Sequence, residues 1–296
     1  MKQHIFQGVA TALVTPMTPT GVDYDALARL IDFQLESGVD ALLAVGTTGE
    51  SATLSPEERT EVIRFTVART GGRVPVIAGT GTNDTRHVLK YTRQACDAGA
   101  DAVLVVTPYY NKATQNGLIA HFTAVADASQ KPVILYNVPS RTGCNLLPAT
   151  AAALADHPNI VAIKEASGNL SQVVELSSLC LDKLDIYSGD DAVTVPMMAV
   201  GALGSISVTS NVVPSMVSEM THSFLRGDVA AAGALQRKLI PLCHALFSEV
   251  NPIPAKAAIS AMGFGQENLR LPLTPMEQPG RDKLLQIMRD LGVALS

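Results

Sequence analysis

The length, composition and charge of the chain limit the kinds of protein it can be. Of its 296 residues, 47% are hydrophobic and 17% are charged, which is enough apolar material for a large core and argues against disorder. The net charge of -5 comes without any long run of lysine or arginine. We therefore expect that the protein binds neither nucleic acid nor an anionic membrane, and that its ligands are small metabolites.

Eight short apolar runs rich in Val, Ile, Leu and Ala recur along the chain, each followed by Gly, Thr, Pro or Asn. Such runs are typical of strands that are buried on both faces of a parallel sheet. In chain order they occupy residues 9–14, 41–46, 74–79, 102–106, 133–137, 160–165, 184–189 and 205–210. Eight strands alternating with helices predict an α/β fold of the (β/α)8 TIM barrel type.

Helical patterns, with apolar residues three and four positions apart, lie between these runs. Clear examples are residues 25–37, 56–70, 85–98 and 115–129. Ser55, Pro56 and Glu58 predict a helix start, as N-cap, first-turn proline and capping-box glutamate. Four more helices are expected after the last strand, at residues 214–226, 230–249, 254–262 and 279–291. We predict a barrel over residues 1–226 and a C-terminal helical extension over residues 227–296, which either covers the barrel or serves subunit contacts.

A doubly wound open sheet is the competing architecture, because it also alternates strands with helices. That fold is favoured by a nucleotide-binding fingerprint. The glycine-rich stretches of this chain, GTTGES and GTGTND, match neither GxGxxG nor GxxxxGKS. The barrel is therefore the favoured interpretation.

Cysteine and histidine spacing argues against a metal site. The four cysteines are widely separated without a CxxC pair, and the histidines lack a spacing such as HExxH. Asp190 and Asp191 are interpreted as a turn with a helix-capping role. The N-terminus lacks the features of a signal peptide, and no stretch of about 18 residues is uniformly apolar. We expect reduced thiols, no metal and a cytoplasmic location.

Lys164 is the most informative residue at the carboxyl ends of the predicted strands, where barrels of this type place their active sites. It lies within the apolar run IVAIKEAS, and lysine is rare in such surroundings. A buried ion pair with Glu165 or another carboxylate is one explanation. Burial also disfavours the ammonium form, which leaves a neutral amine able to attack a ketone. This position is suited to Schiff-base chemistry.

Schiff-base formation requires proton transfer, and no histidine stands at a predicted strand end to provide it. Tyr136 is the candidate, with Thr47 and one tyrosine of the Tyr109–Tyr110 pair as a relay. Arg141 follows on the loop above the barrel mouth, where a guanidinium can bind a carboxylate. Taken singly, a packed tyrosine and a surface arginine are the commoner explanations, but the combination favours an acid as substrate.

The chain resembles the pyruvate-dependent class I aldolases, and among them the 4-hydroxy-tetrahydrodipicolinate synthase (dihydrodipicolinate synthase) family. The resemblance spans essentially the whole chain. It rests on seven ordered motifs: GTTGES at 46–51, TPYYNK at 107–112, YNVPSRTG at 136–143, IKEASG at 163–168, SGDD at 188–191, SISVTSNVVP at 205–214 and NPIPAK at 251–256.

The resemblance implies a role for each candidate residue in a lyase that joins pyruvate to aspartate semialdehyde, the entry to lysine and diaminopimelate synthesis. Lys164 would form the Schiff base, Tyr136 would transfer protons, and Thr47 would link Tyr136 to a Tyr110 from a neighbouring subunit. Thr48 and the backbone near Ile206 would hold pyruvate, Gly189 would line the pocket, and Arg141 would bind the semialdehyde carboxylate. A homotetramer built as a dimer of dimers, without metal or cofactor, is expected.

Three other kinds of protein are alternatives to a synthase. Sugar-acid lyases of the same superfamily share the lysine and the tyrosine, but typically lack the arginine of the SRTG segment. A non-catalytic barrel would be expected to lose Lys164 or Tyr136, and a phosphate-binding barrel would need a phosphate loop that SGDD and SVTSN do not provide. Arg141 therefore favours the synthase.

Regulation is predicted to differ from that of lysine-inhibited relatives. Ser51, Asn83 and Tyr109 of their effector pocket are present. His87 replaces the usual glutamate, and Pro56 and Arg59 replace two histidines. We predict weak or absent inhibition by lysine.

Overall fold

Eight parallel strands close into a barrel in a computed structural model that describes residues 4–296. We number them β1 to β8, and their bounds are Gly8–Ala12, Ala41–Ala44, Val76–Gly79, Ala102–Val106, Val133–Asn137, Ile160–Glu165, Asp185–Ser188 and Gly204–Ser207. Each strand pairs with its neighbours in the chain, and β1 also pairs with β8, where Thr11 lies opposite Ser207. All eight predicted strands are present.

Alternation along the strands divides the buried residues into two layers. In β5, for example, Ile134 and Tyr136 belong to the cluster inside the barrel, whereas Val133 and Leu135 belong to the cluster between strands and helices. Both faces of each strand are thus covered, which is why the strands are apolar runs in the sequence.

Twelve α-helices surround and extend the barrel in the described part of the chain. Their bounds, α1 to α12, are Tyr24–Glu36, Pro56–Thr70, Thr85–Asp97, Gln115–Ala128, Pro139–Thr142, Pro148–Leu154, Leu170–Cys180, Thr194–Met198, Pro214–Leu225, Val229–Leu246, Ile253–Ala261 and Gln278–Asp290. The capping box predicted at Ser55 is confirmed, since its side chain accepts from Glu58 N while the Glu58 carboxylate accepts from Ser55 N. Residues 17–18 and 21–22 form a short antiparallel hairpin.

The C-terminal helices are continuous with the barrel. Helix α10 packs against α9, the last helix of the barrel, and α12 packs against α10 and α11. The segment that joins α10 to α11 lies over the carboxyl ends of the strands, so the extension covers the barrel mouth. The division at residues 226 and 227 stays a prediction. None of the helices within residues 4–296 is both long and apolar enough to span a membrane.

Candidate active site

A cavity of about 750 Å³ opens at the carboxyl ends of the barrel strands. Six of the eight residues that the sequence singles out line it: Thr47, Thr48, Tyr136, Arg141, Lys164 and Gly189. They come from four strand ends, β2, β5, β6 and β7, and from the loops that follow them. Parallel strands bring such distant positions together because all of their carboxyl ends meet on one face.

Lys164 projects into the base of this cavity from β6. Only 5% of the residue is exposed, and its Nζ lies 4.5 Å from the centre of the Tyr136 ring on the adjacent strand β5. Burial lowers the pKa of Lys164 from 10.5 to about 8, against the opposing effect of the Asp191 carboxylate, while the positive charge of Arg141 lowers it further. The amine is therefore far easier to deprotonate than an exposed lysine.

Glu165 is not the ionic partner of Lys164. Successive strand residues face opposite sides, and the Glu165 carboxylate is held by Asn137 Nδ2 at 2.9 Å and by Ser167 N at 2.6 Å. This arrangement leaves the Lys164 amine facing the cavity.

Tyr136 is buried beside Lys164. Burial raises the pKa of its phenol, whereas the charge of Arg141 and a hydrogen bond with Thr47 lower it. Thr47 lies on the loop after β2. Thr47 therefore lies beside Tyr136, as the predicted proton relay requires, and the relay itself stays a prediction.

Arg141 lies at the cavity rim on the short helix α5. The loop that carries it is tied to the end of β5, because Asn137 Oδ1 accepts from Leu146 N at 2.9 Å and Asn137 Nδ2 donates to Asn145 Oδ1 at 2.9 Å. Its exposed guanidinium faces the same space as Lys164. A substrate carboxylate at the rim and a carbonyl at the base can thus be bound together.

Gly189 leaves the space that the Lys164 side chain occupies. A Cβ atom at this position would lie 2.9 Å from Lys164 Cε and 2.8 Å from the Ala166 Cβ. Any larger residue would displace the lysine stem, so this glycine is needed for a close approach.

Two predicted residues lie outside the cavity lining. Tyr110 is 89% exposed, with a backbone φ of 72°, and is not among the residues that line the cavity of its own chain. Ile206 is buried inside β8, and Val208, two residues further along the chain, lines the cavity instead.

Asp191 is a cavity residue whose environment the sequence does not reveal. Its Oδ2 accepts from Val208 N at 2.9 Å and from Thr209 N at 2.8 Å, which fixes the turn after β8. Asp190 has the predicted capping role, because its Oδ1 accepts from Ala192 N at 3.0 Å.

The C-terminal segment completes the cavity. Residues of α10 and of the turn after it also line the cavity: Cys243, His244, Phe247, Ser248, Glu249, Val250 and Asn251. Asn251 Nδ2 donates to Thr48 Oγ1 at 3.0 Å. The motif NPIPAK marks this segment in the sequence, but its distance of some 200 residues from Thr48 hides the contact. Among residues 4–296, no three His, Cys, Asp or Glu side chains are placed to bind a metal ion.

Comparison with known proteins places the chain in a family. The model of the dihydrodipicolinate synthetase family matches residues 5–291. The chain belongs to the dihydrodipicolinate synthetase family. The 4-hydroxy-tetrahydrodipicolinate synthase of Geobacter sulfurreducens is 49% identical over 286 residues, which cover 97% of this chain and 99% of that relative.

Solved dihydrodipicolinate synthases share the fold. The chloride-inhibited enzyme of Acinetobacter baumannii, in complex with pyruvate, is 45% identical with a TM-score of 0.95, covering 97% of this chain and 99% of that one. The DHDPS of Cyanidioschyzon merolae with lysine bound is 40% identical with a TM-score of 0.94, covering 99% and 100%. The predicted barrel with C-terminal helices is confirmed.

A second cavity, of about 390 Å³, adjoins the first in this dihydrodipicolinate synthetase family member. The two share Thr47, Val138 and Arg141 as a wall. Buried Arg59 lies in the second cavity, with its guanidinium 4.3 Å from the centre of the Tyr91 ring. The other polar residues of its lining are Ser51, Thr82, Asn83, His87, Tyr109 and Thr142. In the described part of the chain, no aspartate or glutamate lines this cavity.

Proposed function

We propose that the chain is a 4-hydroxy-tetrahydrodipicolinate synthase, a lyase that condenses pyruvate with L-aspartate 4-semialdehyde through a Schiff base on Lys164. Family membership supports this activity, and the name of the Geobacter sulfurreducens relative is the same. The observation that carries it is the buried Lys164 amine, which faces Tyr136 at the base of a cavity with Arg141 at its rim.

The first stage is formation of the Schiff base. Neutral Lys164 attacks the keto carbon of pyruvate, the carbinolamine loses water, and an imine replaces the carbonyl. Tyr136 supplies the proton that leaves with the water, and Thr47 holds the phenol by a hydrogen bond. The Tyr136 phenolate then accepts a proton from the methyl group, which converts the imine to an enamine and restores the phenol.

The second stage joins the two substrates. The enamine carbon attacks the aldehyde carbon of the semialdehyde, which forms the new carbon–carbon bond, and Tyr136 protonates the aldehyde oxygen to a hydroxyl group. The substrate amine then displaces Lys164 from the imine, which closes the ring and frees the enzyme. The imine nitrogen takes up the electron pair that the methyl carbon releases, and Lys164 is recovered unchanged, so the proposed mechanism uses no metal or cofactor.

The remaining cavity residues would bind the substrates. Thr48 and the backbone near Ile206 hold the pyruvate carboxylate, Gly189 leaves space beside the imine, and Arg141 binds the carboxylate of the semialdehyde. A guanidinium binds a carboxylate with two parallel hydrogen bonds, which orients the aldehyde toward the cavity base.

Tyr110 would complete the relay of another subunit. Its exposed side chain and its position at the tip of the loop after β4 support a role outside its own chain. We therefore propose a homotetramer built as a dimer of dimers. We further propose that the protein is located in the cytoplasm, and that residues 1–226 form the barrel and residues 227–296 the helical extension.

The test is to treat the protein with pyruvate and borohydride, then map the reduced adduct by mass spectrometry while measuring turnover with aspartate semialdehyde. We expect the adduct on Lys164, none in Lys164→Met, and a raised KM for the semialdehyde in Arg141→Met with little change in adduct formation. An adduct without turnover would indicate a sugar-acid lyase instead, which a panel of aldehydes would identify. The absence of any adduct would exclude the mechanism.

A further inference from the structure

Three contacts join the C-terminal segment to the loop at residues 46–51, which carries Thr47 and Thr48. Asn251 binds the Thr48 hydroxyl, as described above. Lys256 Nζ forms an ion pair with Glu50 Oε1. Arg270 N donates to Glu50 Oε2 at 3.2 Å. Glu50 thus receives two of the three contacts.

The Glu50–Lys256 pair is enclosed by the protein. The side chains are 1% and 0% exposed, and Lys256 also donates to the Asn268 carbonyl at 2.6 Å. Burial lowers the pKa of Lys256, and the Glu50 carboxylate opposes that effect. Burying two charges costs much of what their attraction contributes, so such a pair adds little to stability by itself. A role in fixing the position of the loop at residues 46–51 explains the pair better than a contribution to net stability does.

Glu50 is coupled to the catalytic part of the loop through the backbone. It has a φ of 56°, a left-handed conformation that costs energy in residues other than glycine unless other contacts hold it. Glu50 N donates to the Thr47 carbonyl at 3.1 Å, and Ser51 N donates to the Gly46 carbonyl at 3.3 Å. Movement of Glu50 would therefore move Thr47, whose hydroxyl bonds to Tyr136.

We propose that Glu50 and Lys256 are positioning residues, which clamp the loop so that Thr47 meets Tyr136 and Thr48 faces the cavity. The inference rests on the proposed function, because it assigns the clamp to the same reaction. The C-terminal helices would then support catalysis indirectly: Lys256 on helix α11 holds the loop that carries Thr47 in the position at which Thr47 contacts Tyr136.

The test compares Glu50→Gln, Lys256→Met and the double variant with the wild-type enzyme. Lys256→Met leaves a lone buried carboxylate, so we expect that single variant to lose both thermal stability and turnover. The double variant contains no lone charge and keeps similar side-chain volumes, so we expect its stability to return. Its kcat should stay low, on the order of 10- to 100-fold below wild type, because a displaced relay is not restored. Recovery of kcat together with stability would overturn the proposal.

Two further measurements separate positioning from a general loss of structure. In a Thr47→Val background, Glu50→Gln should lower kcat no further, because the relay residue through which it acts on kcat is already disabled, while displacement of Thr48 should still raise the KM for pyruvate. An additional independent loss of the same size as in the wild-type background would contradict the clamp. Glu50→Gln keeps the shape of the side chain and leaves Lys256 free to lose its proton, so this measurement holds even if the double variant fails to fold.

Hydrogen exchange of the peptide at residues 46–51 gives a readout that does not need turnover. We expect faster exchange in the double variant than in wild type, and no change in Leu284→Ala, a matched core variant in α12. Unchanged exchange would refute the clamp whatever the activity. Faster exchange in a protein whose wild type forms no pyruvate adduct would leave the clamp standing and remove the proposed function.

Discussion

Replacing Lys164 by methionine should abolish activity and stabilise the fold. Burial lowers the pKa of Lys164 from 10.5 to about 8, and each tenfold change in proton affinity is worth about 1.4 kcal/mol, so the charged form costs the folded state about 3 kcal/mol. Below pH 8 the lysine is charged in both states, and the whole cost applies. Between pH 8 and 10.5 the folded lysine is neutral while the unfolded one is still charged, so the cost declines.

The assay is denaturant unfolding of both proteins at pH 7 and pH 9.5, at one protomer concentration because association shifts apparent stability. We expect Lys164→Met to be more stable by about 3 kcal/mol at pH 7 and by about 1.4 kcal/mol at pH 9.5. Lys183→Met removes an exposed lysine paired with Asp156 and should show no such gain. A gain that is equal at the two pH values would refute the role of the buried charge, and so would a less stable Lys164→Met.

Three other predictions concern the cavities. Tyr136→Phe removes the phenol that transfers protons, so kcat should fall by about 10²- to 10⁴-fold in steady-state assays while the protein still binds pyruvate. Gly189→Ala puts a Cβ 2.9 Å from Lys164 Cε, so borohydride trapping of the pyruvate adduct should slow sharply. L-Lysine should not inhibit the enzyme at submillimolar concentrations, because the second cavity offers its ammonium group Arg59 and His87 and no carboxylate among the described residues.

Each of these has an outcome that contradicts it. Near-normal turnover in Tyr136→Phe would move the proton transfer to another group. Trapping at the wild-type rate in Gly189→Ala would show that Lys164 has room to shift. Submillimolar inhibition by lysine would show that the cationic lining does not exclude an ammonium ligand, and His87→Glu is the matched variant that should increase any lysine binding.

The barrel could be predicted because strands that are covered on both faces are continuous apolar runs in the sequence. The sixth run was predicted at residues 160–165 and is found at Ile160–Glu165. The first was predicted to end at Val14, whereas β1 ends at Ala12, because Leu13 and Val14 stay buried after the strand pairing stops. Hydrophobicity reports burial and does not mark the last hydrogen bond of a strand. The short helices Pro148–Leu154 and Thr194–Met198 span too few turns to show a period.

The candidate site was predictable where residue type and strand position coincide, as they do at Lys164. Contacts between segments that are distant in the chain produce no recognisable pattern in the sequence. Lys256 and Glu50 are 206 residues apart, and neither motif indicates that the other lies beside it. The contacts of Asp191 with the backbone amides of Val208 and Thr209 could not be predicted either, because every residue except proline has such an amide and the sequence does not show which of them donate.

The covering of the barrel mouth by the C-terminal segment has a consequence for biosynthesis. The eighth strand ends at Ser207, but the segment that contacts the catalytic loop extends to Arg270. At about 5 to 20 residues per second, a ribosome needs roughly 3 to 13 seconds to add this stretch. During that interval all eight strands have been made, yet the apolar mouth around Val208 and Leu43 lacks its cover. During that interval the uncovered apolar surface favours aggregation and chaperone binding.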